Sequence, residues 1–407
     1  MSTAPDDWIR SPDHRAFLSA DARRQFDFFK ASVNPAGGFF TLGIDGAALP
    51  SPVQELHSTT RLIHSYALGQ IAGHPGCEAV IDHGMAYLQS HHLDREHGGF
   101  LWALSGQDVQ DGRKLAYGHV FVLLAASSAL AVAHPGAPAL LAQIDDILDS
   151  RFWDEARGLF VDEWNRDWTP FSSYRGLNAN MHGVEALLAA YEATGRARYL
   201  ERAGRILDFL IGRIAPVEGW RLPEHYTEDW QVDRSYSGNP MFRPAGTTPG
   251  HSFELARLLL HYDALCPASE ETRIATARTL AYRALEDAWD AERGGFVYTL
   301  DFDGKPAIRD RYWWPVTEAI GVVAALLKVE PQAQDGRWYS RLWNCAERLF
   351  IDSTRGGWVP EVDDAGVAVS RQFQGKPDIY HSVQAALFPL APSVAGHYRE
   401  LAGVLAC

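Results

Sequence analysis

The stretch Asp290-Ala-Glu-Arg-Gly294-Gly295-Phe296 decides how this chain is read, because it belongs to a series. Asp94, Gly98 and Phe100 repeat its spacing, as do Asp154, Gly158 and Phe160, and again Asp352, Gly356 and Trp358. Two looser copies stand at Gly37-Gly38-Phe39 and Gly219-Trp220. The aromatic markers fall at 39, 100, 160, 220, 296 and 358, at intervals of 61, 60, 60, 76 and 62. The chain is therefore six units of about 60 residues, a period longer than that of common solenoid repeats.

Each unit has the same internal order. An amphipathic helical segment precedes the glycine, as in 275–288 and 339–350, with apolar residues at three- and four-residue spacing. Asp and Gly then stop the helix and turn the chain. A short extended segment follows, such as Phe296–Leu300 before Asp303-Gly304. A second helix comes next; 120–132, 184–191, 255–262 and 319–327 are apolar on nearly every side, the pattern of a buried helix. Two helices per unit, apolar inside and amphipathic outside, predict an all-α (α/α)6 barrel. This is a closed toroid with short β-hairpin loops at one end, spanning 1–407 as a single domain. An open α-solenoid is the other arrangement the repeats allow. The fourth unit is longer by about 15 residues, and its excess is the polar, aromatic, Gly/Pro-rich segment 225–247. A long loop in a compact repeat marks a functional segment, here expected to be a lid or rim.

Composition narrows the classes. The 407 residues are 46% hydrophobic and 22% charged, ordinary for a globular protein. A formal net charge of −14 without a basic run argues against nucleic acid as a partner. Cys77, Cys266, Cys345 and Cys407 are scattered with no CxxC, so reduced thiols are expected rather than a zinc knuckle or redox motif. The first fifteen residues are polar and acidic, unlike a signal peptide, and the longest apolar stretch, 120–133, is too short for a membrane span. These features predict a soluble cytoplasmic protein without a membrane partner. The outer helices, of mixed polarity, are compatible with a monomer or a homodimer.

Each inner helix opens with a polar motif. They are His57-Ser-Thr-Thr-Arg61, Lys114-Leu-Ala-Tyr117-Gly-His119, Arg175-Gly-Leu-Asn178-Ala-Asn180-Met-His182, Thr248-Pro-Gly-His251, Arg311-Tyr-Trp-Trp314-Pro-Val-Thr-Glu318 and Lys376-Pro-Asp378-Ile-Tyr-His381. In a closed barrel all six lie at one face and converge on one cavity. His251 and Glu254, His182 and Glu185, and His381 and Gln384 are each three apart, on one helical face. A carboxylate one turn away holds an imidazole in one tautomer and raises its basicity. Histidines facing a pocket suit proton transfer next to a carbonyl, which also needs donors for the enediolate oxygens. Arg61, Tyr117 and Asn180 are the candidate donors. No phosphate loop, dinucleotide fingerprint, nucleophile elbow or HExxH is present, so no cofactor and no metal is expected. His91-His92 precedes a turn and is expected at the surface. A glycoside hydrolase is the rival use of this fold, with Glu254 and Glu318 as its carboxylate pair. A non-catalytic sugar-binding module is another.

Asn180-Met-His182, Gly250-His251-x-x-Glu254, Trp313-Trp314-Pro-x-x-Glu318 and Tyr380-His381 resemble the motifs of the N-acylglucosamine 2-epimerase superfamily, and the likeness runs over nearly the whole chain. Thr248–Glu254, Arg311–Glu318 and Lys376–His381 are more similar to its aldose–ketose isomerase branch, which includes mannose and sulfoquinovose isomerases, than to its cellobiose 2-epimerases. The resemblance implies metal-free isomerisation of a monosaccharide through a cis-enediol, with D-mannose and D-fructose as the expected pair. His251 and His381 match the acid/base pair, and His182 a histidine linked to ring opening. Arg61, Tyr117 and Asn180 match sugar-binding positions; the same motifs add Trp314, Lys376 and Asp378. Glu254 and Glu318 match carboxylates that orient histidines or hold hydroxyls. Epimerisation at C2, or isomerisation of lyxose or sulfoquinovose, are the alternatives within the resemblance. A sulfonate would draw on Arg61, Gln372, Gln374 and Lys376.

Overall fold

A computed structural model describes residues 5–50, 53–266 and 273–406. Among these, twelve α-helices have eight residues or more. In chain order they are α1 (Pro12–Phe29), α2 (Leu56–Ala72), α3 (Cys77–Tyr87), α4 (Ala116–Ala131), α5 (Ala137–Ile147), α6 (Leu177–Thr194), α7 (Ala197–Leu207), α8 (Pro249–Leu265), α9 (Arg273–Ala288), α10 (Trp313–Val329), α11 (Ala333–Leu349) and α12 (Tyr380–Leu387). The even-numbered helices form the inner ring. Each packs on the next, from α2 through α4, α6, α8 and α10 to α12, and α12 returns to α2. The ring is closed, as the repeat count predicts, and the open solenoid is excluded.

Hydrophobicity sorts the two layers. α10 is buried without a break from Trp313 to Leu327. The outer helix α11 buries only one face, led by Tyr339, Leu342, Trp343 and Ala346. A helix apolar all round has no face to offer water, so it takes the inside.

The repeated Asp-x-x-x-Gly-x-aromatic stretch is a hairpin after four of the outer helices, α3, α5, α9 and α11. The Asp side chain accepts from backbone N–H groups two and three residues on, as Asp290 does from Glu292 (3.1 Å) and Arg293 (2.9 Å). Gly294 N–H donates back to the Asp290 carbonyl at 2.8 Å and sits at φ +81°, a left-handed position that favours glycine. The flanking residues pair across the turn, Trp289 with Phe296 and Ile351 with Trp358.

Short antiparallel pairings then stitch each unit to the next. Val53–Glu55 pairs with Ala103–Ser105, Lys114–Leu115 with Glu163–Trp164, Arg175–Gly176 with His225–Tyr226, and Arg311–Tyr312 with Glu361–Val362. Thr247 bridges to Leu300, and Leu42 bridges to Lys376, joining the first unit to the last. This second ring caps the end of the barrel where the inner helices begin.

Cys77 and Cys345 are buried free thiols and Cys266 is a partly buried one; Cys407 lies outside the described residues. No helix among the described residues is long and apolar enough to cross a membrane. His92 is fully buried rather than exposed, its Nδ1 3.0 Å from the Leu101 carbonyl, because the hairpin folds back over it.

Candidate active site

The first turns of the inner helices surround a cavity of about 130 Å³. α2 contributes His57 and Arg61, α4 Tyr117, α6 Asn178 and His182, α8 His251 and Glu254, α10 Trp313 and Trp314, and α12 His381. Asp378 reaches the wall from the loop before α12, and Met241, Phe242 and Pro244 come from the long loop of the fourth unit.

Two histidines are each held from behind by a buried glutamate. His251 Nδ1 lies 2.9 Å from Glu224 Oε1, and His381 Nδ1 lies 2.8 Å from Glu318 Oε1. A carboxylate on Nδ1 fixes the proton there and leaves Nε2 as the free nitrogen. Both rings lie against the same indole, with centroids 5.2 Å (His251) and 5.7 Å (His381) from Trp314. Gly250 permits this approach, since a Cβ there would stand 2.3 Å from the Trp314 ring.

Charge in the wall is tightly arranged. Arg61 donates to Asp378 Oδ2 (3.0 Å) and to the Tyr117 hydroxyl (2.9 Å), and stacks between the Phe121 and Tyr380 rings, each 4.6 Å away. His182 Nδ1 lies 3.3 Å from Glu254 Oε1 and 3.6 Å from Glu185 Oε2. Burial pushes the His182 imidazole down to about 4, so it is neutral at pH 7. Burial, reinforced by Glu318 and Glu185, raises Glu254 well above the carboxylate range. Burial also opposes ionisation of Glu318, but Arg257 and His381 outweigh it and hold Glu318 below its usual value. The two neighbouring carboxyls are thus shifted in opposite directions. Two trios bring three metal-ligating atoms within 4.8 Å of one another: His182, Glu185, Glu254, and Glu254, Glu318, His381.

The sequence profile of the N-acylglucosamine 2-epimerase (GlcNAc 2-epimerase) family matches residues 37–385. The chain belongs to this family. A relative named D-mannose isomerase, from Thermobifida fusca, is 42% identical over 400 residues, covering 96% of this chain and 98% of the relative. Another of the same name, from Pseudomonas cannabina pv. alisalensis, is 39% identical over 406 residues, covering 98% and 97%. A solved structure of a D-mannose isomerase superposes with a TM-score of 0.87 at 32% identity, over 92% of this chain and 97% of its own.

The fold gathers most of the family-motif residues at the cavity: His182, His251, His381, Glu254, Arg61, Tyr117, Trp314 and Asp378 line it. Glu318 stands behind His381, out of the wall. Asn180 and Lys376 do not line it. Asn180 accepts from Phe160 N–H (2.8 Å) and donates to the Phe160 and Gly176 carbonyls, so its amide latches a hairpin to α6. Lys376 donates to Asp352 (2.9 Å) and the Gly356 carbonyl (2.6 Å), doing the same in the last unit. The residue beside Asn180 in the motif, Asn178, takes the cavity position, with its buried Oδ1 unpartnered. Gln372 and Gln374 are likewise absent from the wall.

The expected partner one turn along the helix is also corrected for two histidines. His251 is held by Glu224, not Glu254, whose side chain turns toward His182 instead. His381 is held by Glu318 while Gln384 faces His64 and Glu185. Glu224 was not among the sequence candidates. Its signal is the repeat register: its carbonyl receives Leu177 N–H, as Asp162 receives Ala116 and Trp102 receives Leu56.

Proposed function

We propose that this chain is an aldose–ketose isomerase interconverting D-mannose and D-fructose, with His251 and His381 as its acid–base pair. The observation that carries the reading is the pair of imidazoles, each fixed at Nδ1 by a buried glutamate and both turned to one small cavity across Trp314. The names of the relatives supply the sugar.

Arg61, Tyr117, Asn178 and Asp378 hold the hydroxyls of the sugar, and Trp314 lies along its ring. His182, a neutral base at pH 7, takes the anomeric hydroxyl proton as the C1–O5 bond breaks, and O5 takes a proton from water, so the pyranose opens. One imidazole of the pair then breaks the C2–H bond. Its electrons form the C1=C2 bond, and O1 takes a proton, giving the cis-enediol. A proton added at C1, with O2 giving up its own, completes the ketose. Glu254, a neutral acid at the cavity floor, is placed to donate toward the oxygens that carry developing charge. The histidines and carboxylates supply the whole acid–base requirement, so EDTA is expected to leave turnover unchanged.

A glycosidase pair is not favoured. Glu318 is engaged by His381 and Arg257 behind the wall and cannot flank a glycosidic bond. Epimerisation at C2 uses the same enediol, and the two imidazoles against one indole would serve it as well. Product analysis after incubation with D-mannose separates the two: fructose supports the isomerase, glucose as the sole product supports the epimerase, and unchanged mannose refutes both for this sugar.

A further inference from the structure

We propose that His182, Glu185 and Glu254 form a preformed site for a divalent transition-metal ion, with Zn²⁺ the ion their donors suit, and that the ion excludes the sugar by occupying the floor of its cavity. The three donor atoms lie within 4.8 Å of one another. His182 Nδ1 is 3.3 Å from Glu254 Oε1 and 3.6 Å from Glu185 Oε2. A tetrahedral zinc with bonds of about 2.0–2.2 Å holds its donors about 3.3–3.6 Å apart. The distances from His182 therefore fit the ion with shifts of tenths of an ångström.

Two of the three donors are free to bind; the third, Glu185, accepts from the Tyr380 hydroxyl at Oε2 and from Gln384 at Oε1, and each carboxylate oxygen keeps a second lone pair for a metal. His182 Nδ1 and both oxygens of Glu254 are buried without a hydrogen-bond partner. The other trio is occupied, because His381 Nδ1 is bonded to Glu318 Oε1 and Arg257 donates to Oε2. Charge favours a dication as well. Glu185, Glu254, Glu318 and Asp378 stand beside two guanidinium groups among the described residues, Arg61 and Arg257, so carboxylates outnumber fixed cations there. A fourth ligand, water, comes from the cavity side, since His182 and Glu254 line the cavity. An N/O₂ set with one open position is a zinc-type arrangement.

The exclusion of sugar rests on the isomerase reading; the metal site does not. Protein dialysed against EDTA and titrated with Zn²⁺ by calorimetry is expected to bind one ion per chain. Glu185→Gln is expected to weaken that binding at least about tenfold while keeping the side chain's shape. Co²⁺ in the wild-type protein, which needs no variant to fold, is expected to give the visible absorption of a tetrahedral centre. Absence of stoichiometric zinc, equal affinity in Glu185→Gln, or an octahedral Co²⁺ spectrum overturns the site. Zinc inhibition that EDTA reverses and that raises the apparent KM for mannose supports the exclusion of sugar; inhibition lowering only kcat overturns it.

Discussion

At the scale of single residues, the account rests on which polar side chains face the cavity and which hold the scaffold. Replacing His251 or His381 by Ala is expected to lower kcat on the order of 10³-fold with little change in the circular dichroism spectrum. Glu224→Gln and Glu318→Gln keep the hydrogen-bonding shape but remove the charge behind each imidazole, and should fall between wild type and the Ala variants. The two neighbouring asparagines should separate cleanly. Asn178→Ala raises KM for the sugar with stability nearly unchanged. Asn180→Ala orphans the buried Phe160 N–H and should cost about 1–3 kcal/mol in urea unfolding, with KM unchanged. This distinction was legible in the repeat register but not in the motif itself. His57, Tyr117 and Asn178 recur at intervals of 60 and 61, and all three line the cavity. His119 and Asn180 recur at 61, and each accepts from the backbone N–H of its hairpin aromatic. The sequence motif points to Asn180 as the donor; residue type does not separate it from Asn178, and only their phase on the helix does.

At the scale of elements, the hairpin is what places each inner helix. Its aspartate turns the chain, and in two units a buried lysine from the start of the next inner helix clasps that aspartate, Lys114 on Asp94 at 2.8 Å and Lys376 on Asp352 at 2.9 Å. Lys376→Met is therefore expected to destabilise the fold by about 3 kcal/mol while leaving KM for mannose unchanged, measured by chemical unfolding beside steady-state kinetics. Gly250→Ala tests the opposite combination. A methyl group 2.3 Å from Trp314 displaces the indole against which both histidines lie, so turnover should fall while the helix content stays intact. The helices, hairpins and their order were readable from spacing, because periodicity follows from which faces must be buried. The partner of His251 was not, since Glu224 arrives from a strand edge across 27 residues and no local pattern records that meeting. From the segment 225–247, Met241, Phe242 and Pro244 line the cavity, and Arg243 is tied to Glu163 at 2.8 Å.

At the scale of the whole molecule, closure is what brings six helix starts to one point. The number six was visible in the markers, and the family expected from the motifs is the family that the profile matches. The closed ring also buries many imidazoles. His14, His64, His92 and His182 are pushed down to about 4 and His57 and His119 to about 3, in each case chiefly by burial. A histidine with a lowered folded value contributes stability that is complete above about 6.5 and is lost as pH falls toward its folded value. Asp21, Glu55, Asp162 and Glu254 are raised by burial and act in the opposite sense, but they are fewer. The melting temperature should therefore fall as pH drops from 6.5 to 4, with net proton uptake on unfolding measurable by calorimetry in buffers of different ionisation enthalpy. The most direct test of the central claim is turnover of D-mannose in D2O followed by NMR. Proton transfer by the two glutamate-backed histidines predicts fructose carrying deuterium at C1; fructose formed without any label, or no fructose at all, contradicts it.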